Sequence, residues 1–156
     1  TDNTVTGNDC TLVGACGNDL TNPTFNSNDA CGILTYESGT GTKINNNNVG
    51  ANQIGVCLNY DQATANSNNI HGNLAAGLEL YDGTGTYSAS HNKFNGNALA
   101  IFVDSDAGSY SANIEHTTFY STPIKMEILT VTPGSVLVNL NGHSYLASGD
   151  ETVTIV

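Results

Sequence analysis

A hydrophobe followed three residues later by Asn recurs along this chain, in Val5-Thr6-Gly7-Asn8, Phe25-Asn26-Ser27-Asn28, Val49-Gly50-Ala51-Asn52, Ile70-His71-Gly72-Asn73 and Phe94-Asn95-Gly96-Asn97. The lead residues lie 20, 24, 21 and 24 positions apart, and Phe119 follows Phe94 after 25. Self-similarity at a period near 23 confines the chain to repeat architectures, in which each unit buries its apolar face against the next.

Downstream of each lead comes a second apolar stretch: Gly32-Ile33-Leu34-Thr35, Gly55-Val56-Cys57-Leu58, Gly77-Leu78-Glu79-Leu80 and Ala100-Ile101-Phe102-Val103. Alternation of period two puts Ile33, Val56, Leu78 and Ile101 in one inward column, and Thr35, Leu58, Leu80 and Val103 in the next. Leu34, Cys57, Glu79 and Phe102 are then expected to face outward. A unit this short, with two or three short strands and no helical periodicity, predicts an all-β chain, a parallel β-helix (β-solenoid) of about five to six coils.

Asparagine supports the same reading. The chain has 22 Asn, and the repeat lines up Asn8, Asn28, Asn52, Asn73 and Asn97 in one column and Asn3, Asn47, Asn68 and Asn92 in another. Stacked amides hydrogen-bond along such a column, and Asn also tolerates the left-handed backbone of tight corners. Both roles are architectural. After Ile128 the repeat stops between Pro123 and Pro133, and Val136 to Val156 reads as three strands joined by Asn141-Gly142 and Gly149-Asp150 turns. Residues 1–128 are therefore expected to form the coils and 129–156 a β-strand cap over the last one.

Asn68-Asn69-Ile70-His71-Gly72-Asn73 followed by Gly77-Leu78-Glu79-Leu80 resembles the NosD-type repeat, N-x-I-x-G-N and then G-[IL]-x-[IL], of the pectin-lyase-like superfamily. The resemblance spans roughly residues 1–128 and implies a right-handed parallel β-helix. Its members include lyases, hydrolases, epimerases, adhesins and passive shells, so it bears on fold more than on function. Pectate-lyase-like members abstract a proton with Arg or Lys beside calcium-binding carboxylates, whereas this chain has no Arg and three dispersed Lys. The Gly-His-Gly and Arg-x-Lys motifs of polygalacturonase-like members are absent too. Asp104-Ser105-Asp106 is the nearest carboxylate cluster.

Charge narrows the partners. A formal net charge of −11 repels phosphate backbones and anionic bilayers, which argues against nucleic acid, and no run approaches the ~20 apolar residues of a membrane span. An acid recurs once per coil in Tyr36-Glu37, Tyr60-Asp61, Tyr81-Asp82 and Ser105-Asp106. If Glu37, Asp61, Asp82 and Asp106 stack, calcium is the cofactor that would bridge them; otherwise they are solvated turn residues and no cofactor is called for. The four His lie at no metal-ligand spacing, so only stacking of adjacent coils could bring them together. Cys10, Cys16, Cys31 and Cys57 point to an oxidising compartment. Cys10 and Cys31 occupy nearly equivalent places in successive coils and are candidates to pair, and an outward Cys57 or Cys16 is a candidate link to another chain.

These features predict an extracellular, cell-surface structural protein without catalytic groups, a self-assembling subunit of a sheath, S-layer-like coat or fibre. Its acidic, Asn- and Gly-rich character resembles the amyloid-like sheath proteins of methanogenic archaea. The alternative is a carbohydrate-binding or carbohydrate-active β-helix, with Tyr36, Tyr60 and Tyr81 as a stacking ladder and Asp104 or Asp106 as polar partners.

Overall fold

The computed structural model describes residues 2–7 and 31–156, and every regular element in them is a β-strand. The strands come in threes. Coil one holds β1 (Thr4–Thr6), β2 (Cys31–Tyr36) and β3 (Thr40–Asn45), and coil two holds β4 (Asn48–Gly50), β5 (Ile54–Asn59) and β6 (Gln62–Asn66). Coil three is β7 (Asn69–His71), β8 (Ala76–Tyr81) and β9 (Thr86–Ser88), and coil four is β10 (Lys93–Asn95), β11 (Leu99–Ser105) and β12 (Ser109–Ile114). Coil five is β13 (Thr118–Tyr120), β14 (Ile124–Thr130) and β15 (Ser135–Leu140), followed by β16 (His143–Ser148) and β17 (Glu151–Ile155).

Equivalent strands pair in parallel from coil to coil, giving three sheets in the orders β1-β4-β7-β10-β13, β2-β5-β8-β11-β14 and β3-β6-β9-β12-β15. The molecule is a β-solenoid of about five turns. Strands β16 and β17 add to the third and second sheets as antiparallel neighbours of β15 and β14. The strand, turn, strand, turn, strand reading of the C-terminal region matches β15, β16 and β17. The junction expected at 128/129 instead falls inside β14, because Pro123 and Pro133 flank a regular coil strand rather than a break.

The first interval of the repeat is corrected. Val5 pairs directly with Val49, so the lead column is Val5, Val49, Ile70, Phe94 and Phe119, and the Phe94 and Phe119 rings stack at 5.6 Å. Coil one therefore carries the extra length. In the later coils the first and second strands are joined by residues 51–53, 72–75, 96–98 and 121–123, whereas in coil one residues 7–30 intervene. Phe25, Asn8, Asn28, Cys10 and Cys16 lie outside the described residues.

The inward columns hold as expected. Val56, Leu78 and Ile101, with Leu58, Leu80 and Val103, are wholly buried in one core together with Val49, Ile70 and Phe94. The third sheet closes that core with small and aromatic inward residues, Ala63, Ala65, Ala89, Ala112, Tyr87 and Tyr110, between the aliphatics Ile44 at one end and Ile114, Val136, Val138 and Leu140 at the other. Tyr87 Oη donates to the Tyr81 carbonyl at 3.0 Å, and Tyr110 Oη lies 3.0 Å and 2.7 Å from the Leu80 and Asp104 carbonyls. A buried phenol needs such partners.

The outward column is also corrected. Leu34 is 39% exposed, but Cys57, Glu79 and Phe102 are buried at 0%, 4% and 1%. Cys57 and Phe102 belong to a second apolar cluster with Ile54, Ala75, Ala76 and Leu99, distinct from the solenoid core, and Glu79 sits in register between them. The second sheet is thus apolar on both faces, which is why its strands read as nearly unbroken apolar runs.

Among the described residues both Asn columns form. Asn47 Oδ1 accepts from the main-chain N–H and the Nδ2 of Asn3, Asn68 Oδ1 from those of Asn47, and Asn92 Oδ1 from those of Asn68, all at 2.9–3.1 Å. Asn52, Asn73 and Asn97 repeat the pattern at the next corner. The left-handed backbone falls one residue earlier, at Asn46, Ser67 and His91 before the first ladder and at Ala51, Gly72 and Gly96 before the second. The ladder residues therefore serve through their amides rather than through positive φ.

Candidate functional site

The groups with chemistry meet at the corner between the second and third sheets. The Tyr36, Tyr60 and Tyr81 rings pack edge to face with centroids 5.5 Å and 5.0 Å apart, so the expected aromatic ladder exists. Its construction differs from the repeat reading. Tyr36 aligns with Asn59, Asn59 with Tyr81 and Tyr81 with Asp104, which places Tyr60 one step further on, in the corner column of Glu37 and Asp82. These three share left-handed φ values of 48°, 54° and 40°. The Tyr60 ring nonetheless packs between Tyr36 and Tyr81.

The same one-residue offset breaks up the acidic column. Continuing the strand register, Glu37, Tyr60, Asp82 and Ser105 share one column, and Ser38, Asp61, Gly83 and Asp106 the next. The four carboxylates alternate between two columns with a neutral residue between each like pair, so they do not stack as the calcium reading requires. Asp61 is 1% exposed and closes a local turn, its Oδ1 accepting from Ala63 N–H at 3.0 Å and its Oδ2 from Ser38 Oγ at 3.1 Å. Asp82 Oδ1 accepts from the N–H groups of Asp106 and Ala107 at 2.8 Å and 3.2 Å. Tyr81 Oη donates to Asp106 Oδ2 at 3.0 Å.

Asp104 and Asp82 carry the electrostatic load of this corner. Asp104 Oδ1 and Asp82 Oδ2 are buried without a hydrogen-bond partner. Burial, then the charges of Asp106, Glu79 and Asp82, push the Asp104 carboxyl up to about 8. Burial also raises the Asp82 carboxyl, against the opposing pull of its two main-chain donors. Burial, then the bonds to Tyr60 and Asp106, hold the Tyr81 phenol far above its usual range. Burial at this corner therefore favours the neutral form of the Asp104 carboxyl and the Tyr81 phenol, beside half-exposed aromatic rings.

Of the cysteines expected to be available, Cys57 is not. Cys31 and Cys57 form a disulfide with Cα atoms 6.0 Å apart, tying coil one to coil two. This replaces both the Cys10–Cys31 pairing and the intermolecular role expected of Cys57. His91 and His116 stack at 4.8 Å with planes 7° apart, a pair visible in the sequence only once the coil register is known. Alternation turns Glu79 outward, yet it is buried beside the disulfide, in the column Leu34, Cys57, Glu79, Phe102. The signal for it was an acid within an otherwise apolar strand.

Architecture and site define a class, a three-sheet β-solenoid with asparagine ladders and an aromatic, acidic corner. The chain matches no family model, no curated protein and no solved structure.

Proposed function

We propose that the chain is an extracellular structural β-solenoid of the NosD-type, right-handed pattern, a subunit that extends by joining the stack at its first coil. The observation that carries this reading is an asymmetry of the two ends. Among the described residues, β1, β2 and β3 each have a parallel neighbour on one side only, while β14 and β15 are followed by the antiparallel strands β17 and β16. Strand edges of this kind pair with other strands. Coil one also leaves Leu34 and Tyr36 at 39% and 48% exposure, where the second coil buries Cys57 and Asn59 in the same columns.

The motif supports the family pattern position by position. Asn68 and Asn73 are ladder residues, Ile70 fills the core, Gly72 takes φ 59°, and a Cβ on Gly77 would meet the Ala100 carbonyl oxygen at 2.8 Å. The Cys31–Cys57 disulfide favours an oxidising, extracellular location. The test is sedimentation and electron microscopy of the native chain. Concentration-dependent polymers lost on Leu34→Lys support the reading, and a monomer at every concentration sinks it.

The second reading, a neutral-glycan platform, is favoured by the Tyr36, Tyr60 and Tyr81 ladder beside the Asp106 carboxylate. Sugar C–H faces pack on such rings while hydroxyls take the polar rim. A glycan array probed with wild type and Tyr60→Ala separates the two readings.

A further inference from the structure

We propose that Cys31, Cys57 and Glu79 form a zinc-binding site that opens when their disulfide is reduced. The two Sγ atoms and a Glu79 carboxylate oxygen all lie within 4.8 Å of one another, and they are the one convergent set of three such ligands among the described residues. The fold produces this juxtaposition. In-register pairing sets Cys57 directly over Glu79 on the outer face of the second sheet, while Cys31 begins the adjoining strand β2. Two thiolates and a carboxylate suit a borderline-soft divalent ion. Tetrahedral Zn²⁺ with bonds near 2.3 Å to sulfur sets its sulfurs about 3.8 Å apart, a separation that side-chain rotation supplies once the S–S bond is gone.

The surroundings fit a metal as well. Cys57 is 0% exposed and packed with Ile54, Ala75, Ala76, Leu99 and Phe102, and Glu79, 4% exposed, lies in register between Cys57 and Phe102, a dry setting that strengthens an ion's hold on charged ligands. Cys31 is only half-buried and gives the ion its way in. In the oxidised chain the sulfurs are bonded to each other and offer no thiolate, so metal and disulfide exclude one another. A thiol or phosphine reductant supplies two electrons to the S–S bond, which takes up two protons to give two thiols. With a phosphine, water provides both protons and its oxygen becomes the phosphine oxide's. Zn²⁺ then displaces the two thiol protons. This inference stands apart from the assembly reading and survives or fails without it.

The test uses the full chain with Co²⁺ as the spectroscopic probe for Zn²⁺. After phosphine reduction, one equivalent of Co²⁺ should produce a thiolate-to-cobalt charge-transfer band and tetrahedral d–d bands that Zn²⁺ bleaches, while the oxidised chain gives none. Cys10→Ser/Cys16→Ser should keep the band, Cys57→Ser should lose it, and Glu79→Gln should weaken Co²⁺ by at least about tenfold, since even outer-shell changes cost that much. Circular dichroism on each variant reads the fold separately. The proposal is overturned by a reduced wild type that stays β-folded without a band, or unfolds and is not refolded by Co²⁺. It is equally overturned by a band that survives in Cys57→Ser, disappears in Cys10→Ser/Cys16→Ser, or keeps its affinity in Glu79→Gln.

Discussion

Val5 lies beside Val49 in the first sheet although 44 residues separate the coils they open, the same interval that links Asn3 to Asn47 in the ladder below. Every later step of that column is 21 to 25 residues. Strand register and amide ladder thus agree on both sides of the longest interval, each joining the first coil directly to the second.

The core register is open to a direct check. Leu78 is wholly buried between Val56 and Ile101 in the second sheet. Leu78→Ala should cost roughly 2–5 kcal/mol in urea unfolding, whereas Leu146→Ala, at a site 67% exposed, should change stability by less than about 0.5 kcal/mol. Equal effects at the two sites would contradict the register.

The asparagine ladder predicts a cost out of proportion to size. Asn68 Oδ1 accepts two bonds from Asn47, and Asn68 Nδ2 donates to Ile44 O and Asn92 Oδ1. Asn68→Leu strands two buried donors on Asn47, at roughly 1–3 kcal/mol each. Asn69→Leu, next to it on an exposed position, should be close to neutral. Thermal melts of the pair decide whether the amide ladder or general polarity matters.

Close coil stacking makes a third prediction at Gly55. A Cβ there would sit 2.5 Å from the Gly77 carbonyl oxygen and 2.9 Å from Asn73 Nδ2, and the main chain of the next coil cannot yield without breaking the sheet. Gly55→Ala should lower stability by roughly 1–3 kcal/mol. An unchanged melting temperature would show the coils to be further apart at this corner.

What was legible in the sequence follows from side-chain size. Large aliphatics at Val56, Leu78 and Ile101 announce the second sheet, and the Asn pairs fix two corners. The third sheet was hidden because its inward residues include Ala63, Ala65, Ala89 and Ala112, which carry little periodic signal although they alternate in the structure. Glu79 and Cys57 face outward and are still buried, because period two tells one face from the other, but not whether a second apolar layer forms on the outer one. The Tyr and acid columns were misaligned by one residue because Tyr60-Asp61 looks like Tyr36-Glu37 and Tyr81-Asp82, while the strands pair Asn59 with both tyrosines. Local likeness at a turn does not fix register; the buried strand before it does.

The buried carboxyls at the aromatic corner predict how stability depends on pH. Asp104 is raised to about 8 in the folded chain, first by burial and then by the charges of Asp106, Glu79 and Asp82, and Asp82 is raised as well. An unfolded Asp titrates near 4. Between these values the folded state holds a proton that the unfolded chain has released, so the contribution is fully present below about pH 4 and is lost as pH rises to about 8. Above that value the charged carboxylate, with Oδ1 buried and without a partner, is a standing cost to the fold. Asp104→Asn replaces the acid by a neutral group of the same shape. It should leave the melting temperature near pH 4 almost unchanged, raise it at pH 8 to 9, and flatten the profile between. A wild-type profile that is flat from pH 4 to 8, or a variant that melts lower at pH 9, would show that Asp104 ionises freely in the folded chain.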